Sequence, residues 1–112
     1  MADLTILTAE DPRTESLEAI LADMLAGVLS RGGVEGRSVL VVPDRGEALR
    51  TGARLAGPND LVIACGKGHE QSMCFGETEY PWDDRTAMRS VLADLMGVDG
   101  PEMPYLPTQA KS

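Results

Sequence analysis

An α/β fold with a mainly parallel sheet is predicted by three features of the sequence. Short apolar, β-prone runs at residues 4–8, 39–42 and 60–65 alternate with two segments of helical periodicity. The second run is four apolar residues in a row, as suits a strand buried on both faces. The third ends in Gly66-Lys67-Gly68, the form in which a parallel strand delivers a loop to the carboxyl edge of its sheet, where open α/β sheets bind ligands.

The elements follow in order. Residues 4–8 read as the first strand and lead into Glu10-Asp11-Pro12-Arg13, where Pro12 pushes Asp11 out of the helical region. Ser16 is placed as an N-cap. Leu17, Ile20, Leu21, Met24, Leu25 and Val28 recur on one helix face, and Glu15 and Glu18 suit the positive end of the helix dipole. Residues 30–37 are a glycine-rich break. After the second strand, Asp44 and Glu47 have the spacing of a capping box. Ala48, Leu49, Gly52, Ala53 and Ala56 then give the second helix a face of mostly small residues, suited to close approach to a sheet. Gly57-Pro58-Asn59-Asp60 turns into the third strand. Residues 72–75 and 78–80, around Gly76-Glu77, read as a β-hairpin. Trp82 is expected to anchor a last helix whose apolar face is Met88, Val91, Leu92 and Leu95, stopped by Gly97. The remainder, with Pro101, Pro104 and Pro107, is expected to be extended or loosely ordered. The domain is set at residues 1–97 and a proline-rich tail at 98–112.

A chain of 112 residues, 43% apolar, makes one domain with a real core. No stretch reaches the roughly 18 apolar residues of a membrane helix, and the N-terminus has no signal-peptide core. The formal charge of −8 disfavours nucleic acid and anionic membrane surfaces. Cys65 and Cys74 form no Cys-x-x-Cys, and with a single histidine no metal site is read. Cys65, ending an apolar strand, is expected to be buried. A reducing, cytoplasmic location fits.

Chemistry concentrates in two loops. In a parallel sheet, Glu10-Asp11-Pro12-Arg13 and Gly66-Lys67-Gly68-His69-Glu70 leave the same edge and face one ligand. The arginine fork of Arg13 suits a carboxylate, and the carboxylates of Asp11 and Glu70 suit an ammonium group. That combination fits an amino acid better than a phosphate. The bland alternative is a surface turn with solvated charges. The glycine pair taken alone supports either a phosphate contact or only a tight turn. No Gly-x-x-x-x-Gly-Lys-Ser/Thr loop accompanies it, so no autonomous triphosphate site is read. Lys67 and His69 are assigned supporting positions only, since no nucleophile stands beside the histidine in sequence.

Four motifs occur in order: Thr8-Ala9-Glu10-Asp11-Pro12-Arg13-Thr14-Glu15, Asp44-Arg45-Gly46-Glu47-Ala48, Gly66-Lys67-Gly68-His69-Glu70 and Asp83-Asp84-Arg85. Together they resemble the C-terminal domain of the Mur ligases, in the branch of the UDP-N-acetylmuramoyl-tripeptide synthetases. The resemblance covers roughly residues 3 to 97. It implies a Rossmann-like three-layer domain with a mainly parallel sheet and a C-terminal hairpin plus helix, lacking the family's first βα unit. It also implies binding of the diamino acid that is added to UDP-N-acetylmuramoyl-L-Ala-D-Glu in peptidoglycan synthesis. The family's Asp-Asn-Pro-Arg motif for meso-diaminopimelate is here Glu10-Asp11-Pro12-Arg13, which leaves lysine and ornithine open. By the same resemblance Arg13 holds the distal carboxylate, Gly66 makes a backbone contact and Glu70 takes the amino end. No catalytic residue, metal or cofactor is assigned to this chain. ATP, magnesium and the nucleotide-peptide fall to the family's other domains, so the chain is expected to be inactive alone. An uncovered sheet flank is expected to favour self-association. The competing reading is a non-catalytic α/β binding or scaffolding module, holding phosphate through Gly66-Lys67-Gly68.

Overall fold

The structure, a computed structural model, describes residues 3–66 and 71–109. The elements are β1 (Thr5–Leu7), α1 (Leu17–Ser30), β2 (Val39–Val41), α2 (Arg45–Leu55), β3 (Ser72–Phe75), β4 (Thr78–Pro81) and α3 (Asp84–Met96). β1 and β2 pair in parallel, with Thr5 opposite Val39 and Leu7 opposite Val41. β3 and β4 form the antiparallel hairpin, Ser72 opposite Pro81. The fold is thus mixed α/β, with a parallel pair of strands, a separate hairpin and three helices among the described residues. No helix among them is long and apolar enough to cross a membrane.

Local chemistry sets the helix ends. The Ser16 hydroxyl accepts from the Ala19 amide at 3.3 Å, and the Asp44 carboxylate accepts from the Glu47 amide at 2.9 Å. Asp83 caps α3 through the Arg85 amide at 2.8 Å. Hydrogen bonds from the Arg85 side chain and backbone hold the Asp83 carboxyl below its ordinary range. Gly97 ends α3 at φ +67°, a left-handed conformation that glycine adopts without a Cβ penalty.

Two apolar clusters hold the elements together. Leu7, Leu21 and Val39 bury α1 against the parallel strands. Ala9, Leu49, Met73, Trp82, Ala87, Val91 and Leu106 join α2, the hairpin and α3. Each large apolar side chain taken from water contributes about 1.5–3 kcal/mol. On its other side α2 meets β1: a Cβ on Gly52 would lie 3.6 Å from Ile6 Cδ1 and from Val62 Cγ1. The small-residue face therefore does bring α2 close to β1.

Three expectations are corrected. Residues 60–65 do not form a strand. A strand requires a hydrogen-bonded neighbour, and β1 pairs only with β2 in its sheet. Leu61 and Ile63 are 82% and 70% exposed. Cys65 is consequently exposed, whereas Cys74, on β3, is buried. The parallel sheet has two strands, not three. The buried face of α3 is also turned from the one expected. Ala87, Ser90, Val91 and Ala93 are buried, while Leu92 and Leu95 lie at the surface. α3 packs on α2, where the Arg50–Asp94 ion pair (2.9 Å) ties the two helices. The chain after the helix then folds back so closely that a Cβ on Gly100 would lie 2.5 Å from Ala93 Cβ.

The tail is docked as well as irregular. Leu106 is fully buried in the second cluster. The Thr108 hydroxyl donates to Asp44 at 2.7 Å, and Met103 Sδ sits 3.1 Å from where a Gly46 Cβ would be. Leu106→Ala is expected to cost about 2–5 kcal/mol in urea unfolding. A loss below about 0.5 kcal/mol would show that the tail does not belong to the core.

Candidate functional site

Parallel pairing places the loops after β1 and β2 at one edge of the sheet. The Thr8 hydroxyl and the Ala9 amide both donate to the Pro43 carbonyl, at 3.3 Å each, and so fasten these loops to each other. Pro12 is buried. The hairpin then grips the same loop from the other side. The Cys74 amide donates to Asp11 Oδ1 at 2.9 Å, the Arg13 amide to the Cys74 carbonyl at 3.0 Å, and the Gly76 amide to the Arg13 carbonyl.

That grip sets an uncommon backbone. Arg13 has φ +54°, the only positive value at a non-glycine position among the described residues. The left-handed region costs an ordinary residue of order 1–3 kcal/mol and persists only where the surroundings over-determine it. Here two backbone hydrogen bonds to the hairpin do so. The Arg13 side chain is left exposed.

The second loop enters beside the first. Gly66 has φ +100°, and a Cβ there would lie 3.0 Å from both Cδ and Oε2 of Glu10. The Glu10 carboxylate therefore rests on the glycine. Glycine takes that backbone angle without a Cβ penalty, and a Cβ there would press the Glu10 carboxylate aside by a few tenths of an ångström.

Arg45, the first residue of α2, joins the two loops from below. It is 4% exposed. Its Nη1 donates to the Ala9 carbonyl at 3.0 Å and its Nη2 to the Cys65 carbonyl at 2.8 Å. Its Nε and Nη2 also hold Asp84 Oδ1 and Oδ2 bidentately, both at 2.7 Å. Asp84 Oδ1 accepts in addition from Trp82 Nε1 at 2.7 Å.

Of the residues assigned from sequence, Glu10, Asp11, Pro12, Arg13 and Gly66 are thus gathered at one edge. Lys67, His69 and Glu70 lie outside the described residues. A shallow cleft of about 320 Å³ runs along Glu10, Asp11 and Pro12 towards Leu17, Ile20 and Met24 on α1. Arg13 and Gly66 are not among its lining residues. Asp11 spends one carboxylate oxygen on the hairpin, a structural role the sequence did not suggest. Arg45 and Asp84 were present in two of the recognised motifs without a function. Their signal was two opposite charges, each in the first turn of a helix starting at the same edge. Among the described residues no three His, Cys, Asp or Glu side chains converge to hold a metal ion.

Known proteins match the chain over most of its length. The family profile described as "Mur ligase, glutamate ligase domain" matches residues 1–68. A UDP-N-acetylmuramyl-tripeptide synthetase of Roseiflexus sp. (strain RS-1) is 45% identical over 93 residues, which are 83% of this chain and 18% of that protein. A UDP-N-acetylmuramoyl-L-alanyl-D-glutamate–2,6-diaminopimelate ligase of Streptomyces coelicolor is 38% identical over 96 residues, 86% of this chain and 19% of the relative. A solved structure of a ligase with the same 2,6-diaminopimelate name superposes with a TM-score of 0.68 at 33% identity. It is matched over 81% of this chain and 18% of its own. The chain therefore spans about a fifth of the length of these relatives.

Gly66→Ala is expected to destabilise the protein by about 1–3 kcal/mol, from the positive φ and the Glu10 contact together. Urea unfolding of this variant and of the Glu10→Ala, Gly66→Ala pair separates the terms, because the pair removes only the contact. No measurable loss in the single variant would overturn the described juxtaposition.

Proposed function

The chain belongs to the Mur ligase family, as a form of its C-terminal domain, and from that premise we propose that it binds the incoming diamino acid of a peptidoglycan-precursor ligase. The observation that supports this most is the meeting of Glu10, Asp11, Arg13 and Gly66 at one sheet edge. The hairpin fixes the Arg13 backbone and leaves its guanidinium exposed, open to a ligand carboxylate. Glu10 and Glu70 supply negative charge for an amino end. Lys67 and His69 are assigned supporting roles from the sequence alone.

The domain's share of the reaction is orientation. In the complete ligase, ATP and magnesium on other domains would activate the carboxylate of UDP-N-acetylmuramoyl-L-Ala-D-Glu. This edge would hold the diamino acid so that its amine attacks, which is a proximity effect. Because ATP and magnesium are assigned to those other domains, the chain by itself is expected to make no tripeptide. A cytoplasmic setting follows from substrates of that kind. The phosphate alternative is disfavoured by Glu10, whose carboxylate occupies the approach to Gly66 and would repel an anion.

NMR titration of the chain with meso-diaminopimelate, lysine, ornithine and ATP tests the reading. One of the diamino acids is expected to shift the amides of residues 9–13, and ATP is not. Which diamino acid binds is decided by the same titrations, since Arg13 favours a second carboxylate and the extra acid at Asp11 favours a second amine. Arg13→Ala is expected to weaken binding about 10- to 100-fold with unchanged thermal stability. Unchanged affinity in that variant would remove Arg13 from the site.

The apolar residues Leu61 and Ile63, exposed at 82% and 70%, also form a surface that we propose drives self-association of the isolated chain. Sedimentation velocity is expected to show concentration-dependent association that Leu61→Asp with Ile63→Asp abolishes. A monomer at all concentrations would refute it.

A further inference from the structure

We propose that Arg45 is the positioning residue of this site: it sets the separation of the two ligand-facing loops and touches no ligand itself. The inference rests on the diamino-acid reading above for its functional consequence, though not for its geometry.

The two loops come from different parts of the chain, and a group that spans the gap between Ala9 and Cys65 sets their separation. Arg45 does so through a single rigid plane. One guanidinium nitrogen holds the carbonyl of Ala9, next to Glu10, and another holds the carbonyl of Cys65, next to Gly66. The distance between those carbonyls is therefore fixed by the width of a guanidinium. Asp84 grips the opposite side of that plane with both oxygens, and the buried Trp82 indole holds Asp84 in turn. Four directed hydrogen bonds leave the Arg45 side chain no freedom to rotate.

A lysine could not replace it. An ammonium group is a compact point charge on a flexible stem and cannot address two carbonyls and a carboxylate in one plane. The consequence for the site is specific. The Cys65 carbonyl belongs to a segment that forms no strand, so sheet hydrogen bonds do not fix its place. Of the contacts described, the Arg45 hydrogen bond is the one that ties this segment's backbone to the edge of the parallel sheet. Loosening it would let Gly66 move away from Glu10 while the two apolar clusters stay intact.

The test uses the whole chain and the exposed thiol of Cys65; Cys74 is buried, so a nitroxide label goes to Cys65 alone. In the native chain the label is expected to broaden the amide signals of residues 9–13. In Arg45→Lys and in Asp84→Asn that broadening is expected to be lost or spread, while the Trp82 fluorescence and the α1 amides keep their native signature. Diamino-acid affinity, read by titration of the same samples, is expected to fall about 10-fold or more. Folded variants with native broadening at residues 9–13 would overturn the proposal. Should Arg45→Lys not fold, Asp84→Asn decides, because it keeps the guanidinium and an acceptor for Trp82. If the native chain binds none of the three diamino acids, the functional reading fails. The label then still decides whether Arg45 sets the loop separation.

Discussion

A buried guanidinium must be answered on every side, and Arg45 imposes that demand on the rest of the molecule. Taking a charge out of water costs several kcal/mol, offset only by close pairing and complete hydrogen bonding. Asp84 supplies the opposite charge in bidentate form, and the Ala9 and Cys65 carbonyls take the remaining directions. Removing one partner from such an arrangement typically costs about 3–5 kcal/mol, more than a single apolar contact contributes. The loop after β1, the start of α2, residue 65 and the start of α3 are therefore fixed relative to one another by one side chain.

Around that point the fold divides its labour. The apolar clusters set which elements are neighbours; the polar contacts set where their ends lie. Leu7, Leu21 and Val39 would tolerate small sliding, since dispersion and burial are not directional. The hydrogen bonds from the hairpin to Asp11 and Arg13, and those of Arg45, would not. A recognition edge needs the second kind of constraint, because ammonium and carboxylate groups are distinguished by position to within a fraction of an ångström.

Much of this was legible in the sequence where the signal is local. The caps at Ser16 and Asp44, the hairpin at Gly76 and the stop at Gly97 each depend on a few adjacent residues, and each stands as read. The third strand failed because strand propensity in residues 60–65 says nothing about whether a partner lies alongside. The rotated face of α3 failed for a related reason. Leu92 and Leu95 make a better apolar stripe than Ala87 and Ser90, yet the small residues allow the close contact with α2 and the returning tail. In the site, the loop residues could be singled out by type and by family resemblance. The bond from the Cys74 amide to Asp11 spans 63 residues and that from Arg45 to Asp84 spans 39. Neither leaves a trace in local pattern.

The left-handed backbone at Arg13 also limits how this surface could change over generations. Its own amide and carbonyl and the Asp11 carboxylate are fastened to β3 and its turn, so the loop has a fixed length as well as a fixed shape. One residue inserted between Asp11 and Arg13 would move either the carboxylate or the amide out of register with Cys74. New ligand preferences must then come from exchanging side chains on an unchanged scaffold, at positions 10 and 13. Such a surface evolves by substitution rather than by growth.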